Sequence, residues 1–475
     1  MAEFLPIQAA MSAVRADRHS RKRGNARKAN AASQSWVGRV RAALFKGRPW
    51  WQDTLLVIGI VTVLTFVAVS FLGMDAMPDR IIVSEEIGTV DSPEFIAAVS
   101  RLVGAPPESG GTVTVLNNGD EFLAALLDTL HGAQSTINFS VFMWQTGTFS
   151  DRVLRALIGR QHAGVQVRVL LDAVAATGAY DNLFDELREA GGQVAKFRGP
   201  EVGSWTRVHR RNHRRAIVID GRVGFTGGMA VNDKWLGHAQ DPEHWRDMMF
   251  KVTGPLAGSL QAAFADVWIA STGELLAGPK MYPPDLAAEP GGVRQFIHLV
   301  FSPTDDDQSV AYFYLAAVLA ARHRIAIVTP YFIPDRALRQ ALEDKARAGV
   351  DVRLLLPGAH IDNPQVRWSG QNHYDSLIAA GVKIFEYQPT FLHSKLMVVD
   401  GQWSIIGSPN INPRSRRLDE ENVFGILDAH LGAELERVFQ ADLAKSARIT
   451  LDEWRRRSVF KRLLEMSVRV LDQQS

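Results

Sequence analysis

Two short segments of the chain carry a histidine, a cation two places on, and an aspartate five places beyond that. In 393–400, HSKLMVVD, they are His393, Lys395 and Asp400; in 213–220, HRRAIVID, they are His213, Arg215 and Asp220. Each set is embedded in aliphatic residues that read as a strand. If 393–400 is a strand, alternation puts His393, Lys395 and Met397 on one face. A histidine beside a cation suits phosphate chemistry: an imidazole nitrogen attacks phosphorus while the cation stabilises the equatorial oxygens. The aspartate at the strand end could hold a ring nitrogen and fix its tautomer. The sequence leaves open whether it serves its own half's histidine or the other's.

The residues after each motif extend the pattern. In GSPNINPRS, 407–415, Ser408 and Asn410 are short polar side chains able to reach phosphate oxygens, and the glycine lets backbone come close. The matching stretch FTGGMAVND, 225–233, has Gly228 in the place of Ser408 and Ala230 in the place of Asn410. Glu421, 21 residues beyond Asp400, is a candidate to orient His393 or its partner. One such match among 13 histidines would be weak evidence. Two inside an internal repeat, each followed by a glycine-bearing turn, point to a shared site.

Other chemistries fit less well. The absence of cysteine excludes disulfides, thiolate metal sites and cysteine nucleophiles. There is no H-E-x-x-H, and the TDDD run at 304–307 reads as a solvated loop or helix start. No metal or other cofactor is required.

The elements that must position these residues repeat themselves. INFSVFMW (137–144) reads as a buried strand, followed by a helical stretch and the strand VQVRVLLD (165–172). IAIVTPYF (325–332), another helical stretch and VDVRLLLP (350–357) follow the same order. LREAGGQVAKF (187–197) and LIAAGVKIFEY (377–387) then each give a helix end, a glycine turn and a short strand. The histidine strand comes next in both, and His213 and His393 stand 180 residues apart. The expected fold is α/β: two halves, each a mixed sheet flanked by helices. The halves run 110–278 and 296–445, with the Pro- and Gly-rich segment 279–295 as linker and 76–109 as a connecting segment.

The N-terminal region differs in kind. Residues 1–53 hold eleven Lys or Arg against three acids, although the whole chain of 475 residues has a net charge of only +2. Residues 1–49 read as a disordered basic tail able to bind anionic headgroups. TLLVIGIVTVLTFVAVSFLGM, 54–74, is 21 uncharged residues, long enough to cross a bilayer as one helix. With Trp50 and Trp51 it sets an anchor over 50–75. The positive-inside rule puts the N-terminus in the cytoplasm and, if this is the single crossing, the remainder outside; a re-entrant segment would keep everything inside. At the other end 446–475 is a basic amphipathic tail. A helix over 454–471 would gather Phe460, Leu463, Leu464 and Leu471, to lie on a membrane or to pack on the protein.

Paired H-x-K-x4-D motifs in a duplicated α/β chain resemble the phospholipase D superfamily, over about 110–445. The stretch FLHSKLMVVDGQWSIIGSPNINPRSRRLDEEN is the most specific part. VHRRNHRR (208–215), WRDMMFKVTGP (245–255), TPYFIPD (329–335), AGVDVRLLLPG (348–358) and the N-terminal anchor are similar to bacterial cardiolipin synthases. The resemblance implies transfer of a phosphatidyl group between two phosphatidylglycerol molecules through a phosphohistidine, with glycerol released. It implies His213 and His393 as the catalytic pair, Arg215 and Lys395 as phosphate binders, and Asp220 and Asp400 as orienters of the imidazoles. Gly228, Ser408, Asn410 and Glu421 would support them. The first-half histidine is the nucleophile often used in the family; the opposite assignment stays open. Two positions depart from the pattern: Arg215 where lysine is usual, and Ala230 where asparagine is common. Arginine grips two oxygens but needs a different pocket from lysine. The implied setting is a bacterial cell membrane, with phospholipid as partner and no nucleic acid. A hydrolytic phospholipase D, a nuclease and a catalytically dead scaffold are the competing readings; the oligomeric state is not legible.

Overall fold

The repeat becomes two sheets with one strand order. The computed structural model describes residues 52, 54–62, 81–82, 84–175, 182–198, 210–286, 292–303 and 307–457. Residues 54–62 are helical. Among the described residues no helix is long and apolar enough to cross a membrane. Most of the expected span 54–74 lies outside the described residues, as do the basic tail 1–49 and residues 458–475 of the amphipathic tail.

The first half opens with β2 (Val113–Asn117) and α2 (Asn118–Gly132). It continues through β3 (Thr136–Val141), α3 (Thr148–His162), β4 (Gln166–Asp172), α4 (Asp185–Glu189) and β5 (Gln193–Phe197). It ends with β6 (Ala216–Ile219), β7 (Val223–Gly227), β8 (Met248–Thr253) and α5 (Pro255–Thr272). The second half runs β9 (Gln295–Phe301), α6 (Ser309–Ala320), β10 (Arg324–Val328), α7 (Arg336–Arg347), β11 (Asp351–Pro357), α8 (Pro364–Gln371), α9 (Tyr374–Ala379) and β12 (Lys383–Tyr387). It closes with β13 (Leu396–Val399), β14 (Trp403–Gly407), α10 (Pro413–Arg417), β15 (Glu421–Leu427) and α11 (Ala429–Leu443).

The sheet orders are β2-β8-β7-β6-β3-β4-β5 and β9-β15-β14-β13-β10-β11-β12, the same path taken twice. In each, the three strands joined by helical crossovers are parallel and the rest pair antiparallel, giving the expected mixed sheet. β3 is buried along its whole length, as its unbroken apolar run requires of a central strand.

Two departures from the linear reading appear at the margins of the second sheet. The segment expected to be a connector forms α1 (Pro93–Val103), capped by the Ser92 side chain, and β1 (Pro107–Glu108). β1 pairs with β9, and Phe95 of α1 packs edge-on to Trp403 at 5.1 Å. The start of the expected tail likewise belongs to this half. β16 (Ser446–Ile449) pairs with β12, and Trp454 of α12 (Leu451–Arg455) packs on Tyr374.

Among the described residues three apolar clusters hold the layers. One covers the outer face of the first sheet with α2 and α3, and another the outer face of the second with α1, α6 and α7. The third joins the halves: Leu260 and Phe264 of α5 and Leu435 and Phe439 of α11 pack with Val218 of one sheet and Val398 of the other. Fully burying each such side chain is worth about 1.5–3 kcal/mol. The seam between the halves is therefore a packed core, and side chains at its rim are held to a fixed geometry.

Candidate active site

The strand expected over 393–400 is shorter than its pattern suggests. β13 covers only Leu396–Val399 and β6 only Ala216–Ile219, so each histidine stands in the extended lead-in to its strand. Those lead-ins are used to bridge the halves. Asn212 pairs in parallel with Glu420, and Leu392 with Arg246. The His213 N–H donates to the Glu420 carbonyl at 3.0 Å, and the His393 N–H to the Arg246 carbonyl at 2.7 Å.

This bridging delivers the next residue of the other half to each imidazole. His213 Nδ1 lies 2.9 and 3.1 Å from the two Glu421 oxygens. His393 Nδ1 lies 2.7 Å from Asp247 Oδ2. Glu421 opens β15 and Asp247 immediately precedes β8, the corresponding strand of the first half. The two carboxylates are thus swapped across the seam. With Nδ1–H donated to a carboxylate, Nε2 keeps its lone pair for the substrate.

The two carboxylates are supported differently, and that explains one difference between the repeats. Ser408 donates to Glu421 Oε2. At the matching position a Cβ on Gly228 would sit 2.3 Å from Asp247 Oδ1 and 2.6 Å from Oδ2, so any side chain would displace the carboxylate. Asp247 is held instead by Trp235 Nε1 at 2.9 Å and the Met248 N–H at 2.8 Å. Buried ion pairs brace both bridges. Arg246 pairs with Asp442 at 3.0 Å, and Arg214, fully buried, pairs with Glu420 at 3.1 Å.

Arg215 and Lys395 match in space as in sequence. Arg215 Nη1 donates to the His213 carbonyl at 2.5 Å, and Lys395 Nζ to the His393 carbonyl at 2.6 Å. Lys395 Nζ also lies 3.0 and 3.2 Å from the two ring nitrogens of His393. The extra bulk of arginine is accommodated against Phe142, whose ring centre is 5.8 Å from the guanidinium carbon. Arg215 Nε is buried with no hydrogen-bond partner among the described residues, and so is Asn410 Oδ1. An unpaired buried guanidinium N–H is a donor in want of an anion. Ala230 packs in the first half's apolar cluster.

The electrostatics separate the two histidines. Burial lowers His213 well below its ordinary value, and the Arg215, Lys395 and His393 charges push the same way. Burial and Lys395 also lower His393, but Asp247 pulls it back up by charge and hydrogen bond. Burial alone would raise Asp247; the His393 and Lys395 charges outweigh it and bring the carboxyl below its ordinary value. Glu421 goes the other way: burial lifts it to about 7, against the Ser408 and Ser415 hydrogen bonds. Burial also brings the Lys395 ammonium down to about 7, with Asp247 opposing. Aromatic rings close around His393, with Trp235, Trp245 and Phe391 centred at 5.5, 5.6 and 5.4 Å.

Asp220 and Asp400 do not meet the imidazoles. Each ends its four-residue strand in a left-handed turn, at φ 54° and 52°, and its carboxylate faces back to the loop before the neighbouring strand. Asp220 accepts from the N–H groups of Gln134, Ser135 and Thr136, and Asp400 from those of Arg322, His323 and Arg324. The expectation that they orient the histidines is corrected by these contacts: they clamp backbone at the far end of the strands. The residue missed by the sequence reading is Asp247. Its signal is faint: WRDMM leads into β8 as DEENV leads into β15, but with Asp247 set on Glu421 the two stretches share only that acidic position.

Among the described residues no group of three or more His, Cys, Asp or Glu could hold a metal ion. Residues 126–268 and 314–443 match the family described as "Cardiolipin synthase, PLD-like domain". The chain is 34% identical over 386 residues to Cardiolipin synthase 2 of Bacillus anthracis, covering 80% of this chain and 74% of that one. It is 32% identical over 378 residues to Cardiolipin synthase A of Pseudomonas fluorescens, covering 79% and 77%. Its fold is like that of phosphatidylserine synthase from Haemophilus influenzae Rd KW20, with a TM-score of 0.62 at 15% identity, covering 80% of this chain and 99% of that one.

Proposed function

The chain belongs to the cardiolipin synthase, phospholipase D-like family, and from that premise we propose that it transfers a phosphatidyl group from one phosphatidylglycerol to the hydroxyl of another. The observation that carries this reading is the pair of imidazoles, each held at Nδ1 by a buried carboxylate from the opposite half. One nitrogen can attack while the other handles protons, which is what a two-step displacement at phosphorus needs.

The electrostatic difference between them favours His213 as nucleophile. It is kept neutral, with Nε2 free to attack phosphorus. His393 has Asp247 at its back to support the imidazolium form of a general acid. In the first step the His213 nitrogen–phosphorus bond forms and the bond from phosphorus to the glycerol oxygen breaks. His393 gives that oxygen its proton and glycerol leaves. In the second step a hydroxyl of another phosphatidylglycerol gives its proton to His393 and attacks phosphorus. The bond to His213 breaks, giving cardiolipin. Arg215 and Lys395 neutralise the phosphate oxygens as charge builds. One phosphodiester is exchanged for another, so no nucleotide is needed.

The enzyme would work at a membrane. Residues 54–74 supply an apolar stretch of crossing length behind a basic segment. As a single crossing it would set the N-terminus in the cytoplasm of a bacterial cell and the two halves on the other side. Protease accessibility on intact cells tests that topology. For the reaction, purified full-length protein is incubated with labelled phosphatidylglycerol. Cardiolipin and glycerol in equal amounts are expected. Phosphatidic acid as the only lipid product would replace transfer by hydrolysis.

A further inference from the structure

The second half holds one more polar pair, and the two halves differ there. Tyr331 follows β10 in the TPYFIPD stretch. Its backbone is fixed: Thr329 Oγ1 donates to its carbonyl at 3.1 Å, and the next residue, Phe332, bridges to Ile411. The phenol lies 2.8 and 2.7 Å from the two oxygens of Asp362, to which it donates. Asp362 itself is exposed, on the loop between β11 and α8.

Packing ties this pair to the seam beside the reacting groups, and electrostatics agrees. Tyr331 and Ile361 come from the second half but pack against the apolar cluster of the first, so the pair straddles the seam. The Arg215 charge acts on the Tyr331 phenol, and the Asp362 charge acts on the Lys395 ammonium. Tyr331 therefore stands within electrostatic reach of one phosphate-site cation and Asp362 of the other. In the repeat, INFSVFMW set on IAIVTPYF puts Met143 at the place of Tyr331. The pair thus breaks the near-symmetry of the two halves on one side of the site.

A carboxylate beside a phosphate site is unfavourable for holding phosphate. What it suits is a hydroxyl donor attached to that phosphate. An ionised carboxylate offers about four acceptor positions, and the phenol leaves some of them open. We propose that the Tyr331–Asp362 pair is a headgroup-reading element: Asp362, aimed by the Tyr331 hydroxyl, accepts hydrogen bonds from the free hydroxyls of a polyol esterified to the phosphate held at Arg215 and Lys395. The proposal rests on the phosphatidyl-transfer reading and deepens it, naming the feature of the headgroup that is recognised. Water offers no such second contact, so the same pair favours a polyol over water as acceptor. An ammonium headgroup would also suit a carboxylate, but two flanking cations oppose it.

The test compares donors that differ only in headgroup. Wild type, Asp362→Asn and Tyr331→Phe are purified as full chains and assayed in mixed micelles with phosphatidylglycerol, phosphatidylmethanol or phosphatidylethanolamine as donor, each with labelled glycerol as the common acceptor. The readout is the ratio of kcat/KM between donors, which a general loss of folded protein leaves unmoved. A charged hydrogen bond to the headgroup predicts that Asp362→Asn lowers the preference for phosphatidylglycerol over phosphatidylmethanol by about 10- to 100-fold. Tyr331→Phe lowers it in the same direction by less. A ratio unchanged within twofold in Asp362→Asn overturns the proposal. A selective loss on phosphatidylethanolamine instead overturns the hydroxyl reading in favour of an ammonium site. Wild type inert on every donor overturns phosphatidyl transfer itself, and the headgroup element with it.

Discussion

Asp247→Asn separates the two histidines by function. Asp247 is buried, ionised, and 2.7 Å from His393 Nδ1. Asparagine keeps the shape and can keep a hydrogen bond, so the fold should hold, but the negative charge is lost. Two unit charges about 4 Å apart interact by about 4 kcal/mol at an effective dielectric of about 20, the value that serves even buried sites. Losing that support for an imidazolium costs about 10³-fold in any step where His393 must carry a proton. The assay uses two phosphatidyl donors. Phosphatidylglycerol has an alkoxide leaving group that needs protonation; a phosphatidyl p-nitrophenol ester has one that does not. The variant should lose about 10³-fold on the first, and less than tenfold in the p-nitrophenol burst on the second. The pH profile should move as well. Asp247 is the group that raises His393, so without it the acidic form is confined to lower pH, and the residual rate with phosphatidylglycerol climbs as pH falls. Equal losses on both donors would refute the reasoning, because His393 would then be needed for attack and not for the leaving group.

Glu421→Gln should act on the other side of the reaction, lowering both the p-nitrophenol burst and glycerol release by at least about 10²-fold. Glu421 also carries a stability signature. Its folded value of about 7 lies above the ordinary 4.5, so its protonated form favours the fold, and that contribution is lost as pH rises from about 4.5 to about 7. The glutamine variant, which cannot ionise, should therefore melt higher than wild type at pH 8; a lower Tm there would contradict the burial argument. Gly228→Ala forces a methyl against the Asp247 carboxylate and should lower turnover of phosphatidylglycerol by about 10- to 100-fold through His393; full activity would show that the carboxylate has room to move. Asp400→Ala removes the acceptor of three backbone N–H groups and leaves a left-handed turn on alanine, at a cost of about 2–3 kcal/mol by urea denaturation. A 100-fold loss of kcat at unchanged stability would return Asp400 to the imidazole.

What the sequence determined by itself was everything local. The helix and strand periods, the glycine turns and the order of segments are near-neighbour properties, and they led to two halves, each a mixed sheet flanked by helices; the strand order the two sheets share came from the tertiary structure. The histidines and their cations were legible for the same reason: two residues along an extended chain keep Lys395 beside His393 and Arg215 beside His213. The aspartates misled because the same local rule was carried too far. A strand of four residues puts its two ends at opposite edges of the sheet, so Asp220 and Asp400 share the motif without sharing the site. Only the tertiary structure decided which carboxylate meets which imidazole. Glu421 reaches a histidine 208 residues away and Asp247 one 146 residues away, each in the other half. No spacing encodes that. It follows from the packing of α5 and α11 between the sheets, which turns the two halves face to face and lets Asn212–Glu420 and Leu392–Arg246 pair across the seam. Packing on the outer face of the second sheet converted a supposed connector into α1, and the seam made Gly228 a requirement instead of a missing serine, because steric room is a property of the assembled core and not of the chain.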